Sequence, residues 1–98
     1  MAFADVYDFE LLKNEAENMV LHELEQQLEN EPEEVCRCNE CVVDMAAIAL
    51  NSVKPLYRFS LLGTLYAAQA MNEQSYADSI QEAVARAIEK VKANPAHD

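Results

Sequence analysis

Three cysteines lie within six residues of this chain, as Cys36, Cys38 and Cys41, and an apolar segment follows them directly. Asp44 is the only charged residue between positions 42 and 50, and apolar side chains occupy most of the circumference of a helix there. A helix of this kind is buried on more than one side. We therefore predict a helix over residues 40–51, capped by Asn39, in the middle of the core and with the cysteines at its N-terminus.

The chain before the cysteines has the pattern of one long amphipathic helix over residues 8–29. Asp5 or Asp8 is a suitable N-cap, and Pro32 predicts an end near Asn30 because proline disfavours helical geometry in the residue before it. Seven apolar residues recur at steps of three or four: Phe9, Leu12, Ala16, Met19, Val20, Leu24 and Leu28.

The second half of the chain predicts an extended segment and two further helices. Residues 54–60 contain Pro55 and strand-compatible aromatic residues, which favour an extended connection, with pairing to a partner copy. A turn at Gly63 then precedes a short helix over 65–72, which Ser60 or Thr64 caps. The last helix starts at a capping box, Ser75 to Asp78, and ends near residue 93. Its predicted buried face is Tyr76, Ile80, Ala83, Val84, Ala87, Ile88 and Val91.

Composition restricts the fold class and the partners. With 98 residues, one glycine and three prolines, the chain is expected to form a single, mainly α domain over residues 1–98, with about four helices. The whole net charge of −11 falls in residues 1–51, which disfavours direct nucleic-acid binding. No apolar run is long enough for a membrane span, and no export signal is visible, so we expect a cytoplasmic location.

The cysteine cluster is compatible with three kinds of chemistry. Thiolates that converge at a helix N-terminus can hold a metal such as zinc, which takes four ligands. His22, His97, Asp44, a water or a residue of a second subunit would have to supply the fourth. A redox pair and inert thiols are the alternatives, although the βαβ setting of a thioredoxin-like motif is absent. No Ser-His-Asp signature and no glycine-rich phosphate loop is present, so we do not expect an enzyme.

The run from Cys36 to Tyr57 resembles the signature of the late competence development ComFB family. The matching positions are Cys36, Cys38, Cys41, Asp44, Ala47, Ala49, Leu50, Asn51, Pro55 and Tyr57, and Asn14, Glu17 and Val20 match a further pattern in the first helix. The resemblance covers residues 9–93. It implies a small, mainly helical cytoplasmic protein that dimerises. In Bacillus-type members the cysteines are linked to zinc, and cyanobacterial relatives are receptors for cyclic dinucleotides.

Two functions are consistent with these observations. The first is a non-enzymatic sensor that binds c-di-GMP or c-di-AMP at a dimer interface and signals to a protein partner. Arginine can hold a phosphate and tyrosine can stack on a base, so the predicted ligand-binding residues are Asp44, Asn51, Lys54, Tyr57 and Arg58. The second is a zinc-stabilised adaptor linked to competence, with Cys36, Cys38 and Cys41 as ligands and no nucleotide.

Overall fold

The computed structural model describes residues 2–95, which form five α-helices and two short strands. The elements in chain order are α1 (Phe3–Val6), a 3-10 turn (Phe9–Leu11), β1 (Lys13–Asn14), α2 (Glu15–Glu29), α3 (Asn39–Leu50), β2 (Tyr57–Arg58), α4 (Leu61–Met71) and α5 (Gln74–Ala93). The predicted mainly α class is confirmed: four of these helices are long and α1 is a single turn.

The core lies where α2, α3 and α5 pack against one another. Val20, Met45 and Val84, one from each helix, are fully buried. The predicted buried face of α5 is confirmed at all seven positions. For α3 the prediction was partly wrong, because Val43 is 57% exposed, so this helix is buried along one stripe rather than most of its surface.

The first long helix begins seven residues later than the sequence predicted. Asn14 caps α2: its Oδ1 accepts hydrogen bonds from the backbone N–H of Ala16 at 3.1 Å and of Leu56 at 2.8 Å. Because Asn14 also belongs to β1, extended backbone is required where helix was expected. Phe9 and Leu12 therefore lie outside the helix and are exposed, whereas the end at Asn30 agrees with the prediction.

Other helix ends show which capping predictions were right. Ser60 caps α4 by accepting from the N–H of Gly63 at 3.3 Å, so the helix starts earlier than predicted and Gly63 lies in its first turn. The capping box at Ser75 was wrong. Asp78 instead accepts a hydrogen bond from the Gln74 side chain at 3.0 Å inside α5, and Glu73 occupies the N-cap position without a side-chain bond.

The extended segment after α3 contains β2, which pairs with β1 of the same chain. The pairing is antiparallel, with Lys13 opposite Arg58 and Asn14 opposite Tyr57. Pairing of this segment with a second copy stays a prediction. The two-stranded sheet fixes the predicted ligand segment beside the N-terminus of α2, where the N–H of Glu15 also donates to the carbonyl of Leu56 at 2.8 Å.

Candidate metal centre

Cys38 is the N-cap residue of α3. It has extended backbone, and its Sγ accepts a hydrogen bond from the backbone N–H of Cys41 at 3.4 Å. The thiol thus occupies the position in which serine or aspartate usually satisfies an unpaired N–H of the first turn. The predicted cap, Asn39, is instead the first residue of the helix.

The three thiols converge at this helix end. The Sγ atoms of Cys36, Cys38 and Cys41 all lie within 4.8 Å of one another, and no disulfide joins them. Cys36 and Cys38 are exposed, whereas Cys41 is fully buried against the core. Two thiolates on one tetrahedral zinc ion are about 3.8 Å apart, as follows from Zn–S bonds of about 2.3 Å. The donor set therefore fits zinc, since small movements of exposed side chains would complete the geometry.

Local hydrogen bonds favour a thiolate at Cys36. The pKa of Cys36 is lowered from its ordinary value of 9.0, first by a hydrogen bond from the backbone of Cys38 and then by bonds to the side chains of Cys38 and Cys41. A thiolate is the form that binds a metal and also the form that reacts with electrophiles.

His22, the histidine that the sequence nominated as a fourth ligand, does not lie with the three cysteines. Within residues 2–95, only the three cysteines bring together three or more metal-ligating atoms, so neither His22 nor Asp44 joins them. His22 is exposed on α2, 3.0 Å from the side-chain nitrogen of Gln26, and His97 lies outside the described residues. Two further side chains, Asn39 and Glu40, line the open depression beside Cys36 and Cys38. Because Asn39 and Glu40 directly follow Cys38 in the sequence, their closeness to the cysteines could have been predicted from the sequence.

Arg37, between the cysteines, contacts α2. Its Nη2 donates a hydrogen bond to the carbonyl oxygen of Leu28, one of the last carbonyls of that helix. Such carbonyls have no partner within their own helix. Arg37 therefore contacts the C-terminal end of α2 rather than the half-buried Asp44 of α3.

The predicted ligand-binding residues occupy separate places. Lys54 and Arg58 line two different depressions, Asp44 is half-buried in α3, and Asn51 is exposed at the C-terminal end of α3. Tyr57 has a ring that is largely exposed, at 56%. A single chain does not gather these five side chains into one pocket.

The two basic residues of that set are already engaged. The Nζ of Lys54 lies 3.5 Å from the hydroxyl of Tyr66 and 6.0 Å from the centre of its ring. Arg58 pairs with Glu15, and this hydrogen bond is the main reason that the pKa of Glu15 is lowered. Tyr66 and Glu15 were not among the predicted site residues, because nothing in their local sequence connects them with the segment around Pro55.

Comparison with known proteins identifies the family. The family model described as late competence development protein ComFB matches residues 13–95, which is most of the chain. The chain belongs to the ComFB family. The structure is also similar to that of the late competence protein ComFB from Bacillus subtilis, with a TM-score of 0.65 and 24% identity over 86% of this chain and 93% of that one.

The ComFB assignment confirms the resemblance inferred from the cysteine-to-tyrosine segment, and the match to the Bacillus subtilis protein confirms the fold. No curated protein sequence matches this ComFB chain. None of the helices in residues 2–95 is both long and apolar enough to cross a membrane.

Proposed function

We propose that this ComFB-family protein is a zinc-stabilised, non-enzymatic regulatory adaptor that acts in the cytoplasm as a single domain over residues 1–98. The observation that carries the proposal is the convergence of the Cys36, Cys38 and Cys41 thiols within 4.8 Å at the start of α3. Zinc would supply a link between the linker that follows α2 and the helix that fills the core.

The residues of the chain have distinct parts in this link. Cys41 anchors the site to the core, since it is fully buried, and Cys38 both caps α3 and presents its sulfur. Cys36 comes from the irregular linker, and its lowered pKa reduces the free energy needed to release its proton on metal binding. A metal that binds only the folded arrangement stabilises it by mass action.

Substitution Cys38→Ser tests this role with little damage to the helix. The serine hydroxyl keeps an acceptor for the Cys41 N–H, so the cap survives while a zinc ligand is lost. We expect purified protein to contain zinc stoichiometrically and to melt at a lower temperature after chelation. The variant should bind less zinc and should no longer respond to the chelator. The proposal would be refuted if elemental analysis found no metal in the purified protein, or if Cys38→Ser melted at the same temperature as the wild type.

We also infer that the protein is a homodimer joined through one uncharged face. We define this apolar face by Phe59, Leu62, Leu65 and Tyr66, which are 57–78% exposed. Residues 59–72 carry no charged side chain, in a protein with a net charge of −11. Two copies meeting at this face would bury apolar surface and avoid the like-charge repulsion that contact through the acidic residues of 1–51 would produce.

A cyclic dinucleotide is the second candidate ligand, and the contact between Lys54 and Tyr66 favours it. Tyr66 belongs to the apolar face, so a base stacked on its ring beside the Lys54 ammonium would sit at the edge of the proposed dimer. A second base could stack on Tyr57, and Asn51 and Asp44 would contact base edges, from the same copy or from the second one. A phosphate that used Arg58 would first have to displace Glu15.

Calorimetric titration tests this candidate directly. We expect c-di-GMP or c-di-AMP to release or absorb heat, and we expect Lys54→Met to weaken binding more than Lys90→Met, which removes an exposed lysine from α5. Absence of heat for both nucleotides at about 100 μM would exclude a sensor of physiological affinity and leave the adaptor function.

A further inference from the structure

The linker between α2 and α3 is ordered by contacts to the two neighbouring helices. Residues 30–38 contain neither helix nor strand. Val35 is buried in the core, and Arg37 bonds to the end of α2 through the carbonyl of Leu28. Lys92, near the end of α5, holds the part of the linker that comes before Val35.

Lys92 contacts three carboxylates, but only one of these contacts is shielded from water. Its Nζ lies 3.3 Å from Oε1 of Glu31, 3.3 Å from Oε1 of Glu89 and 3.7 Å from Oε2 of Glu33. The side chains of Lys92 and Glu31 are 18% and 15% exposed, whereas those of Glu33 and Glu89 are 74% and 69% exposed. The Glu31–Lys92 pair is therefore the contact that water and salt weaken least.

Glu31 also organises the linker internally. Its Oε1, the oxygen that contacts Lys92, accepts a hydrogen bond from the backbone N–H of Glu33 at 3.2 Å. One carboxylate oxygen thus connects α5 to the turn around Pro32. Four residues lie between Glu31 and Cys36, and the buried Val35 is the last of them.

We propose that Lys92, acting through Glu31, is a positioning residue that fixes the linker so that the Cys36 thiol faces Cys38 and Cys41 before any metal binds. An irregular segment that becomes ordered only on binding loses conformational entropy at that step, which lowers affinity. A linker already tied to α5 avoids this loss. The effect on metal affinity rests on the zinc site proposed above, whereas the ordering of the linker does not.

The test compares Lys92→Met with Lys90→Met. Both substitutions remove one positive charge from the last turns of α5 and keep an apolar stem, but Lys90 is exposed. Zinc affinity is measured by competition with a chromogenic chelator at a temperature at which all variants are folded. We expect Lys92→Met to weaken zinc binding about tenfold, at the lower end of the effects seen for outer-shell partners, and Lys90→Met to leave it unchanged.

A double-mutant cycle and hydrogen exchange show whether the effect passes through Glu31. The variant Glu31→Gln with Lys92→Met should bind zinc no more weakly than Lys92→Met alone, because both remove the same contact. In metal-free protein, the backbone amides of residues 31 and 33–36 should exchange faster in Lys92→Met than in Lys90→Met.

Equal zinc affinity and equal exchange in the two lysine variants would overturn the inference, as would additive losses in the double variant. A wild-type protein that binds no zinc would refute the metal proposal alone. Faster exchange in Lys92→Met would still establish that Lys92 positions the linker.

Discussion

The three-helix core and the apolar face contain similar apolar side chains, which are buried in the core and exposed on the face. Met45, Val20 and Ile88 are almost completely buried between α2, α3 and α5. Residues 3–12 and the described side chains of α4 also contain many apolar side chains, yet in this set only Ala67 is buried. Phe3, Tyr7 and Phe9 contact one another with ring centres 4.8–6.3 Å apart and remain exposed.

This difference separates two sources of stability. Burial of the core stripes stabilises the single chain, whereas the exposed apolar side chains contribute only once another surface covers them. Phe59 of the apolar face and Tyr7, Phe9, Leu11 and Leu12 of the preceding segment line one common depression, so the uncovered surface is continuous across two parts of the chain.

The contribution of core burial to stability is tested by comparing Met45→Ala with Val43→Ala in the same helix. Met45 is fully buried and Val43 is 57% exposed. We expect Met45→Ala to reduce the free energy of unfolding by about 2–5 kcal/mol, since it leaves a cavity. Val43→Ala should change it by less than about 0.5 kcal/mol. Urea denaturation at a fixed zinc concentration measures both, and similar losses would mean that α3 is not buried along one stripe.

The apolar face is tested by the pair Leu62→Glu and Leu65→Glu, introduced together. Both leucines are exposed in the single chain, at 78% and 60%, so the monomer should remain folded. Placing carboxylates in an interface should weaken dimerisation by roughly 2–4 kcal/mol, which sedimentation velocity over a dilution series would detect.

Val43→Glu is the matched control for that experiment. It adds the same charge as each of the two leucine substitutions, at an exposed apolar residue of α3 outside the apolar face, and should leave the dimer intact. The apolar face would be rejected as the dimer interface if wild-type protein sedimented as a monomer at every concentration. It would also be rejected if Val43→Glu weakened dimerisation as much as the leucine pair does.

The same division explains what the sequence could predict. The stripe of α5 and the late residues of α2 were predictable because a 3.6-residue period reports burial against one core. The start of α2 was not, because Phe9 and Leu12 continue the apolar period although Asn14 bonds to Leu56, 42 residues away. The cysteine cluster was predictable from spacing alone, whereas the Lys54–Tyr66 and Glu15–Arg58 contacts depend on tertiary structure.

The two N-caps of the N-terminal region provide a smaller test. Asn14 caps α2 and also bonds to Leu56, while Asp8 accepts only from Glu10 in the exposed 3-10 turn. We expect Asn14→Ala to reduce the free energy of unfolding by about 1–2 kcal/mol and Asp8→Ala by less than about 0.5 kcal/mol. Thermal and urea unfolding would measure the two variants side by side. A loss in Asp8→Ala as large as that in Asn14→Ala would show that residues 3–12 are integral to the folded core.

The smallest expected effect concerns the ion pair that joins the core to β2. The bond from Arg58 lowers the pKa of Glu15 below its ordinary 4.5, with a second contribution from Asn18 and partial opposition from burial. A carboxylate with a lowered pKa in the folded state stabilises the protein above its unfolded pKa, and this stabilisation is lost as the pH falls through the folded value. Because Arg58 is partly exposed, Glu15→Gln should reduce stability by at most about 1 kcal/mol at pH 7.

Glu17→Gln is the control that distinguishes the effect of the Glu15–Arg58 pair from that of the helix dipole, since Glu17 lies in the same first turn but is exposed. Both substitutions remove a charge that the dipole favours, so only their difference reports the Arg58 contact. That difference should be constant above about pH 5.5 and should shrink as the pH falls below 4.5, because protonation then neutralises Glu15 in the wild type as well. Urea unfolding curves from pH 7 to pH 4 measure it. A difference that grows towards acid would mean that Glu15 is destabilising when charged, and that Arg58 is available to a ligand.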